Sequence, residues 1–377
     1  ARDWRSPRRR RLSRPLQSEA STRLKIAIED EGIYLITGSD LEDAGVDLSD
    51  FDPFTARLFY GGGKALPLPI EHEPNDQLEE QTILVDHGGD GHFDADDAIL
   101  FYAEAVARWE YYGNRRAYSY RRNLYTKRNI YWLEIAGDQT GLRHNVRDGS
   151  PAASDAQIVI SHRVREHVET EAKILIQTFS VRSGYEWYWE DFQGNARNFS
   201  TAVRDAVADP VDIRIRFYGW TSQHHPFSVK WNDEEIGKIS FFGSRVDTSV
   251  FRAESGAREG VNQLGLVHEN KNLTRLDWYE LEYSRLLSAQ RSELRFDGSI
   301  GSDMTEYQLT GFRQEAPRIF EFSDGFTEIV NFEHDPVAGT VRFQDAVAAA
   351  PRSYLVAGEE RWKKPISVEL DRSANLK

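Results

Sequence analysis

The chain has 377 residues and contains no cysteine. At roughly 150 residues per domain, this length predicts two or three domains. The absence of thiols excludes disulfide scaffolds, zinc sites with cysteine ligands and a cysteine nucleophile on this chain. Hydrophobic residues make up 40% of the sequence and charged residues 29%, which predicts a sizeable folded core. The sequence has no apolar run of about 18 residues, so we expect no membrane-spanning helix.

The net charge of −14 conceals a basic N-terminus. Residues 1–14 contain seven arginines and one aspartate, so the other 363 residues carry about −20. An acidic body repels polyanions, and we therefore expect no nucleic-acid partner. We interpret residues 1–21 as a flexible basic tail, with contact between residues 8–11 and phosphate or lipid headgroups as the alternative.

Short alternating segments dominate the first 150 residues. Aromatic residues make up 12% of the sequence, and their flat rings suit the half-buried surface of a β-sheet. A capping box from Ser39 to Glu42, with Gly45 at the position of a C-terminal cap, predicts one short helix. The polar stretch 137–155 is interpreted as a domain boundary. We predict strands at 24–28, 32–36, 57–60, 82–85, 99–102 and 129–135.

The middle region shows the clearest β pattern. Between 211 and 220, apolar residues alternate with polar ones, which is typical of an antiparallel sheet with one solvated face. Asn232 and Asp233 separate two further strands and favour a hairpin turn. Strands at this spacing predict a sandwich. Short strands resume at 307–309, 318–322, 340–343 and 353–356.

In chain order, these segments predict a mainly β, multi-domain protein. An N-terminal β-domain with an acidic, glycine-rich loop covers residues 22–150 and follows the basic tail. A jelly-roll-like antiparallel β-sandwich covers residues 151–298. A small β-sandwich-like C-terminal domain covers residues 299–377.

The strongest local signal for a bound ligand is the acidic loop at 86–97. On the twelve-residue template of calcium loops, four of its five aspartates fall at positions 1, 5, 9 and 12, and Gly91 falls where the chain must turn sharply. Position 3 is Gly88, which offers no side-chain ligand, and an acidic turn between two strands is the alternative. The backbone carbonyl of the loop histidine is a further candidate oxygen. The predicted calcium ligands are Asp86, Asp90, His92, Asp94 and Asp97.

Aromatic rings and carboxylates are concentrated at 185–191. Rings beside carboxylates stack on sugars and hydrogen-bond to them, so Tyr185, Trp187 and Trp189 form a candidate carbohydrate-binding face. Two of the carboxylates would also suit acid–base hydrolysis if they lay about 5–10 Å apart. The alternative is a strand with one row of rings in the core and one at a domain interface.

Motifs for the commonest catalytic sites are absent from the sequence. It contains no GxSxG, GxxxxGK[ST] or GxGxxG pattern. His224 and His225 are adjacent, and on a strand their rings would point to opposite faces, so we expect no shared metal. His268 lacks the second histidine of an HExxH site.

Several segments together resemble a known family. They are similar, in order and spacing, to the non-catalytic region that precedes the peptidase domain of gingipain-type cysteine peptidases. The subgroup that contains the sortase of the type IX secretion system is the most similar. The resemblance covers about residues 25–368. It is carried by residues 28–36 (IEDEGIYLI), 57–63 (RLFYGGG), 90–102 (DGHFDADDAILFY), 129–133 (NIYWL) and 276–285 (LDWYELEYSR).

The resemblance implies an accessory role. In that family, a caspase-like peptidase domain with a His–Cys pair follows the region that this chain resembles. This sequence has no cysteine, so no catalytic residue of the family can be carried over. We interpret the chain either as a fragment of a peptidase or as a protein that keeps only the accessory region. Its expected partners are that peptidase domain and protein substrates.

A carbohydrate-binding or adhesin module on the middle sandwich is the alternative function, with cell-surface glycans as partners. A hydrolase that uses carboxylates is a third hypothesis, without a specific signature. The missing cysteines, the predicted calcium loop and the family resemblance together favour an extracytoplasmic location. The secreted, cell-surface and periplasmic alternatives stay open.

Overall fold

The computed structural model describes residues 22–65, 78–135, 137–175, 186–301, 304–323, 325–346 and 348–371. Strands account for 56% of the residues and helix for 3%, so the predicted mainly β fold is confirmed. Among these residues, no helix is both long and apolar enough to cross a membrane. The chain divides into two compact units. Unit 1 combines the residues up to 159 with those from 289 onward, and unit 2 consists of Ile160–Ser288.

The first part of unit 1 contains strands β1 Thr22–Ile28, β2 Gly32–Thr37, β3 Arg57–Tyr60, β4 Glu79–Gln81, β5 Leu84–Asp86, β6 Ala98–Ala103, β7 Arg108–Tyr112, β8 Ala117–Arg121, β9 Asn129–Ile135, β10 Asn145–Asp148 and β11 Gln157–Val159. Unit 2 contains β12 Ser161–Glu169, β13 Lys173–Leu175, β14 Glu186–Tyr188, β15 Glu190–Phe192, β16 Ala196–Val203, β17 Val211–Gly219, β18 His224–Trp231, β19 Glu234–Phe242, β20 Val246–Ala253, β21 Gly260–His268 and β22 Thr274–Leu286. The last part of unit 1 contains β23 Glu293–Asp297, β24 Met304–Thr310, β25 Arg318–Glu321, β26 Thr327–Val330, β27 Glu333–Asp335, β28 Thr340–Ala346, β29 Ser353–Ala357 and β30 Ser367–Leu370. The helical segments are α1 Gly38–Asp43 and two 3-10 turns, Leu48–Asp50 and Glu359–Arg361.

Helix α1 begins two residues earlier than the sequence predicted. Thr37 is its N-cap: the threonine hydroxyl accepts a hydrogen bond from the Asp40 N–H, and the Asp40 carboxylate accepts one from the Thr37 N–H. The predicted cap at Ser39 is wrong, because Ser39 lies inside the helix and donates its hydroxyl to the carbonyl of Ala95. The predicted C-terminal end is confirmed, since Gly45 follows the helix with a left-handed φ of 92°.

The first sheet of unit 1 joins the two ends of the chain. Its strand order is β30-β1-β9-β3-β4, so the last strand forms an edge beside the first. The apolar side chains of β1 alternate with polar ones, and Leu24, Ile26 and Ile28 are fully buried. They share one core with buried residues of β2, β6 and β9, including Ile36, Phe101 and Leu133. The return of β30 therefore completes the sheet that β1 begins.

Two further sheets of unit 1 combine strands that precede unit 2 in the sequence with strands that follow it. Their orders are β10-β26-β25-β29-β23 and β11-β24-β28-β27. Strands β10 and β11 come before the sandwich and pair in parallel with β26 and β24, which come after it. The stretch 137–155, interpreted as a domain boundary, thus contains a strand whose partner lies about 180 residues away. The predicted three-way division into domains stays a prediction beside these two units.

Arg147 of β10 holds this mixed region together electrostatically. Its guanidinium lies 2.7 Å from the Asp345 carboxylate and 3.4 Å from that of Glu321. Both carboxylates are almost fully buried, and Asp345 also accepts hydrogen bonds from Arg352 and from the Tyr354 hydroxyl. Burying carboxylates is costly unless they are paired and hydrogen-bonded, so this network depends on the arginines.

Unit 2 is an antiparallel β-sandwich. One sheet has the order β12-β22-β17-β20, with β15 also on β22, and the facing sheet has the order β16-β21-β18-β19. The predicted hairpin turn is confirmed: Asn232 and Asp233 both have positive φ, as a tight two-residue turn requires. The Leu287 N–H donates to the Ile160 carbonyl at 2.8 Å, so the first and last residues of this unit are adjacent. Such adjacent ends are typical of a domain inserted into another.

We expect Arg147→Ala to destabilise unit 1 by about 3 kcal/mol, because it leaves Glu321 and part of Asp345 as buried charges without their partner. Arg361→Ala is the matched control, since it breaks a half-exposed ion pair with Glu293 and should cost about 0.5 kcal/mol or less. Urea unfolding of the two variants measures the difference. Equal losses in both would contradict the structural role of Arg147.

Candidate functional site

The acidic loop connects β5 to β6 and folds on its own carboxylates. The Asp90 carboxylate accepts the His92 N–H at 2.9 Å, Asp94 accepts the Asp96 N–H at 3.1 Å, and Asp97 accepts the Asp94 N–H at 2.8 Å. Aspartates commonly stabilise turns in this way, by bonding the backbone two or three residues away. Part of the acidic pattern is therefore explained by turn formation.

The start of α1 fixes the position of this loop. The N–H groups of Gly38 and Ser39 donate to the carbonyls of Asp97 and Ala95 at 2.9 and 3.0 Å. A Cβ atom on Gly38 would lie 1.9 Å from the Asp94 carbonyl oxygen, so only glycine fits at this contact. Phe93, at the predicted apolar anchor position, is buried against Phe51 with ring centroids 4.4 Å apart. The loop is thus anchored at its C-terminal half.

The predicted calcium ligands do not converge in this structure. Asp86, Asp90, His92 and Asp94 are exposed, and Asp97 is half-buried. Within the described parts of the chain, no three histidine, aspartate or glutamate side chains are grouped so that they could hold a metal ion. A calcium ion would therefore require the loop carboxylates to come closer together than they lie here. Calcium binding stays a prediction.

The aromatic segment divides between the core and the surface. Tyr185 lies outside the described residues. Trp187 is half-buried in β14, where it is paired with Ile174 of β13. Trp189 packs against the sandwich core, with its ring 4.7 Å from Phe199 and stacked at 5.9 Å on Tyr279. Trp187 is therefore the member of the predicted sugar-binding face for which a surface role remains open.

The outer face of the sheet β12-β22-β17-β20 carries a network of charges that the sequence analysis missed. At its centre, His167 lies between Glu169 and Glu280 at 3.0 and 3.1 Å, and Arg214 pairs with Glu280 at 3.0 Å. Burial alone would lower the pKa of His167, but hydrogen bonds to the two glutamates raise it above its usual range. The sequence signal for this network was the alternation of charged residues in β12. It becomes informative only when the pairing register of β12 with β22 is known. Further ion pairs on this sheet join Arg163 to Asp212, Arg165 to Glu282, Arg216 to Asp277 and Arg252 to Asp212.

Two histidines form a buried hydrogen-bonded chain inside the sandwich. The Gly194 N–H donates to His268 Nδ1 at 3.2 Å, and His268 Nε2 lies 3.4 Å from the Thr274 hydroxyl. That hydroxyl lies 2.7 Å from His225 Nδ1, and His225 Nε2 lies 3.1 Å from the Thr221 carbonyl. When both rings are neutral, each ring has one donor and one acceptor nitrogen. Every contact in the chain from Gly194 to Thr221 then joins a donor to an acceptor. The prediction that His224 and His225 face opposite ways is confirmed, since His225 is buried and His224 is exposed.

Comparison with known proteins places this architecture among solved multi-sheet β proteins. No protein-family model matches the sequence, and no curated protein matches it either. The chain is similar to dimeric latent PorU from Porphyromonas gingivalis, with a TM-score of 0.70 and 15% sequence identity. The alignment covers 93% of this chain and 33% of PorU, so the chain spans about a third of that protein. At this identity, the similarity shows a shared fold.

Two carbohydrate-binding modules align with a smaller part of the chain. One is a CBM36-1 domain of a multidomain xylanase from the hindgut metagenome of Trinervitermes trinervoides, with 13% identity and a TM-score of 0.24. The other is a family 35 module from an environmental isolate, with 17% identity and a TM-score of 0.25. Each alignment covers 31% of this chain and more than nine-tenths of the module. TM-scores this low carry no functional argument.

The calcium prediction is tested by thermal unfolding. If the loop binds calcium, millimolar calcium should raise Tm relative to a chelator, because a ligand that binds the folded state stabilises it. The double variant Asp86→Asn/Asp90→Asn should abolish this rise; both side chains are exposed, and the loop anchors at Gly38 and Phe93 stay in place. An unchanged Tm for the original chain would end the calcium hypothesis.

We expect the stability of the sandwich to fall as the pH decreases from about 6.5 to about 4. Burial lowers the pKa of His268 from 6.5 to about 4, so the unfolded state takes up a proton before the folded state does. The stability that the neutral ring contributes is complete above pH 6.5 and is lost toward pH 4, by about 2 kcal/mol. His268→Phe keeps the ring contact with Phe227 and should flatten this part of the urea-unfolding profile. An equally steep profile in the variant would refute the assignment.

Proposed function

We propose that this chain is the non-catalytic accessory region of an extracytoplasmic gingipain-like cysteine peptidase, related to the sortase subgroup of type IX secretion. The alignment with PorU carries the proposal, because it extends over almost the whole of this chain and only a third of PorU. The 93% of this chain that it covers is close to the share covered by the sequence resemblance, which runs from about residue 25 to 368. The remaining two-thirds of a PorU-like protein would then hold the peptidase.

The chemistry of the chain supports a non-catalytic role. It contains no cysteine, so it cannot supply the thiolate of a cysteine peptidase. The charged groups of the sandwich face are engaged with one another, and its two buried histidines are satisfied as neutral rings. These groups stabilise the fold, and a hydrolytic site would need an acid or base aimed at a substrate. Scaffolding and substrate positioning remain as roles for this region.

The proposed partner is a caspase-like peptidase domain of the same protein. Accessory domains act through surfaces, and the two sheets of unit 2 have outer faces of different character. The outer face of β12-β22-β17-β20 is rich in ion pairs, and the facing sheet carries small side chains such as Ala202 and Ser200 on its exposed side. Charge-poor sheet faces are better suited to docking, because fewer ions need to be desolvated.

The carbohydrate-binding alternative depends on Trp187, because the partly buried Trp189 packs against the core. A glycan array with the original chain and Trp187→Ala separates the two functions. Trp187-dependent sugar binding would favour the alternative, and an array without bound sugars would remove it.

The proposed function is tested in two steps. The reading frame beyond residue 377 should encode a domain with a histidine and a cysteine at caspase-like positions. Co-expressed with this chain, that domain should co-purify with it, and its peptidase activity or yield should change. The same domain with its cysteine replaced by alanine is the control: it should still co-purify but show no activity. A frame without such a domain, or a domain that ignores the chain, would contradict the proposal.

A further inference from the structure

The residues 108–128, here called the basic ribbon, form a structural feature that the accessory role does not explain. Strands β7 and β8 pair with each other and join no larger sheet in the described residues. Cross-strand ring pairs stiffen this hairpin: Trp109 lies 5.4 Å from Tyr120, and Tyr111 lies 5.0 Å from Tyr118. An isolated two-stranded hairpin is only marginally stable in water. Stability alone therefore does not explain why the protein has this hairpin.

The charge of the basic ribbon is opposite to that of the protein. Its 21 residues contain seven arginine and lysine side chains and a single glutamate, a net charge of +6. Residues 1–14 carry another +6, so the rest of the chain carries −26 within a total of −14. An anionic partner is therefore attracted to the ribbon and the N-terminal segment, and repelled elsewhere.

Six of the seven cations of the basic ribbon fall into two groups. Arg108 and Arg121 are engaged in ion pairs where the two strands begin and end. They lie 3.0 and 2.7 Å from Glu110, and Arg108 also lies 2.9 Å from Glu104. Arg121 donates in addition to the Gly62 carbonyl. Four other cations are exposed and make no ion pair with any residue that the structure describes. These four, here called the exposed cations, are Arg115 and Arg116 in the hairpin turn and Lys127 and Arg128 in the loop after β8.

Exposed apolar side chains accompany these cations. Leu124 is 51% exposed and Tyr112 is 40% exposed, so both side chains are accessible to a partner that meets the exposed cations. Tyrosine is enriched where one end of a side chain is apolar and the other is wet, as at a membrane surface. Cations combined with exposed leucine and aromatic side chains are the composition of interfacial membrane-binding segments.

We propose that the basic ribbon docks on an anionic lipid surface. The exposed cations contact headgroup phosphates, while Tyr112 and Leu124 enter the interfacial layer. Leu124 also gains a partner in lipid, which a sulfated glycan or a nucleic acid would not provide.

Vesicle sedimentation with the full chain tests this proposal. One set of vesicles contains phosphatidylcholine with an equal part of phosphatidylglycerol, and the other contains phosphatidylcholine alone. The ribbon variant replaces Arg115, Arg116, Lys127 and Arg128 with glutamine. The matched control variant replaces four exposed cations outside the ribbon with glutamine, namely Lys230, Arg258, Lys271 and Arg291. Both variants have the same net charge, and circular dichroism checks that both are folded.

The expected result is binding to the anionic vesicles alone. Each cation near an anionic surface favours binding by a factor of about five, so the ribbon variant should bind at least about 100-fold more weakly. The control variant should stay within about threefold of the original chain. Leu124→Ser should weaken vesicle binding by about tenfold, because it removes the apolar contact.

Four results would overturn the proposal. Unchanged binding by the ribbon variant would assign the attraction to residues 1–14. Equal losses of vesicle binding in the ribbon and control variants would show that net charge alone causes the binding. Binding to soluble dextran sulfate, but not to vesicles, would identify an anionic glycan as the partner class. A dimer in light scattering that is lost in the ribbon variant, without vesicle binding, would identify a second copy of the chain.

Discussion

The structure depends on the return of the chain to its own beginning. Strand β30 pairs with β1 in the register Ile26 to Val368, and it completes the sheet whose buried face forms the N-terminal core. A second contact between distant segments joins Ile33 and Leu100 to Leu355 in one apolar cluster. Because these contacts span more than 250 residues, unit 1 cannot be complete until its last strands are present.

The sandwich is an insertion in this arrangement. Its first and last residues are joined by the hydrogen bond between Leu287 and Ile160, and its core is a separate apolar cluster. Its histidines change the stability of unit 2 with pH in opposite directions. His167 is charged more readily than usual, so its contribution is present below pH 6.5 and is lost as the pH rises through its elevated pKa. His225 and His268 have lowered pKa values and contribute most above pH 6.5.

Local features could be predicted from the sequence, and features that depend on distant partners could not. The hairpin at Asn232 and Asp233, and the strands that were predicted, follow from turn chemistry and period-2 alternation within a few residues. The strand β10 was missed because its partner β26 lies beyond the sandwich. The packing of Trp189 depends on Phe199 and Tyr279, which approach it only after the sandwich closes. The loop carboxylates were identified as a site by their spacing, but that spacing also serves turn formation.

The proposed accessory role depends on the same architecture. An accessory region that scaffolds a peptidase needs a rigid body, and unit 1 provides one if residues from both ends of the chain form a single cooperative unit. Hydrogen exchange in the original chain and in Leu355→Ala tests this most directly, because Leu355 is buried against Ile33 and Leu100. We predict that the slowest amides of both β9 and β29 lose about 3 kcal/mol of protection, while those of β17 and β22 in the sandwich keep theirs. Unchanged protection in β9, with a loss confined to β29, would contradict the account.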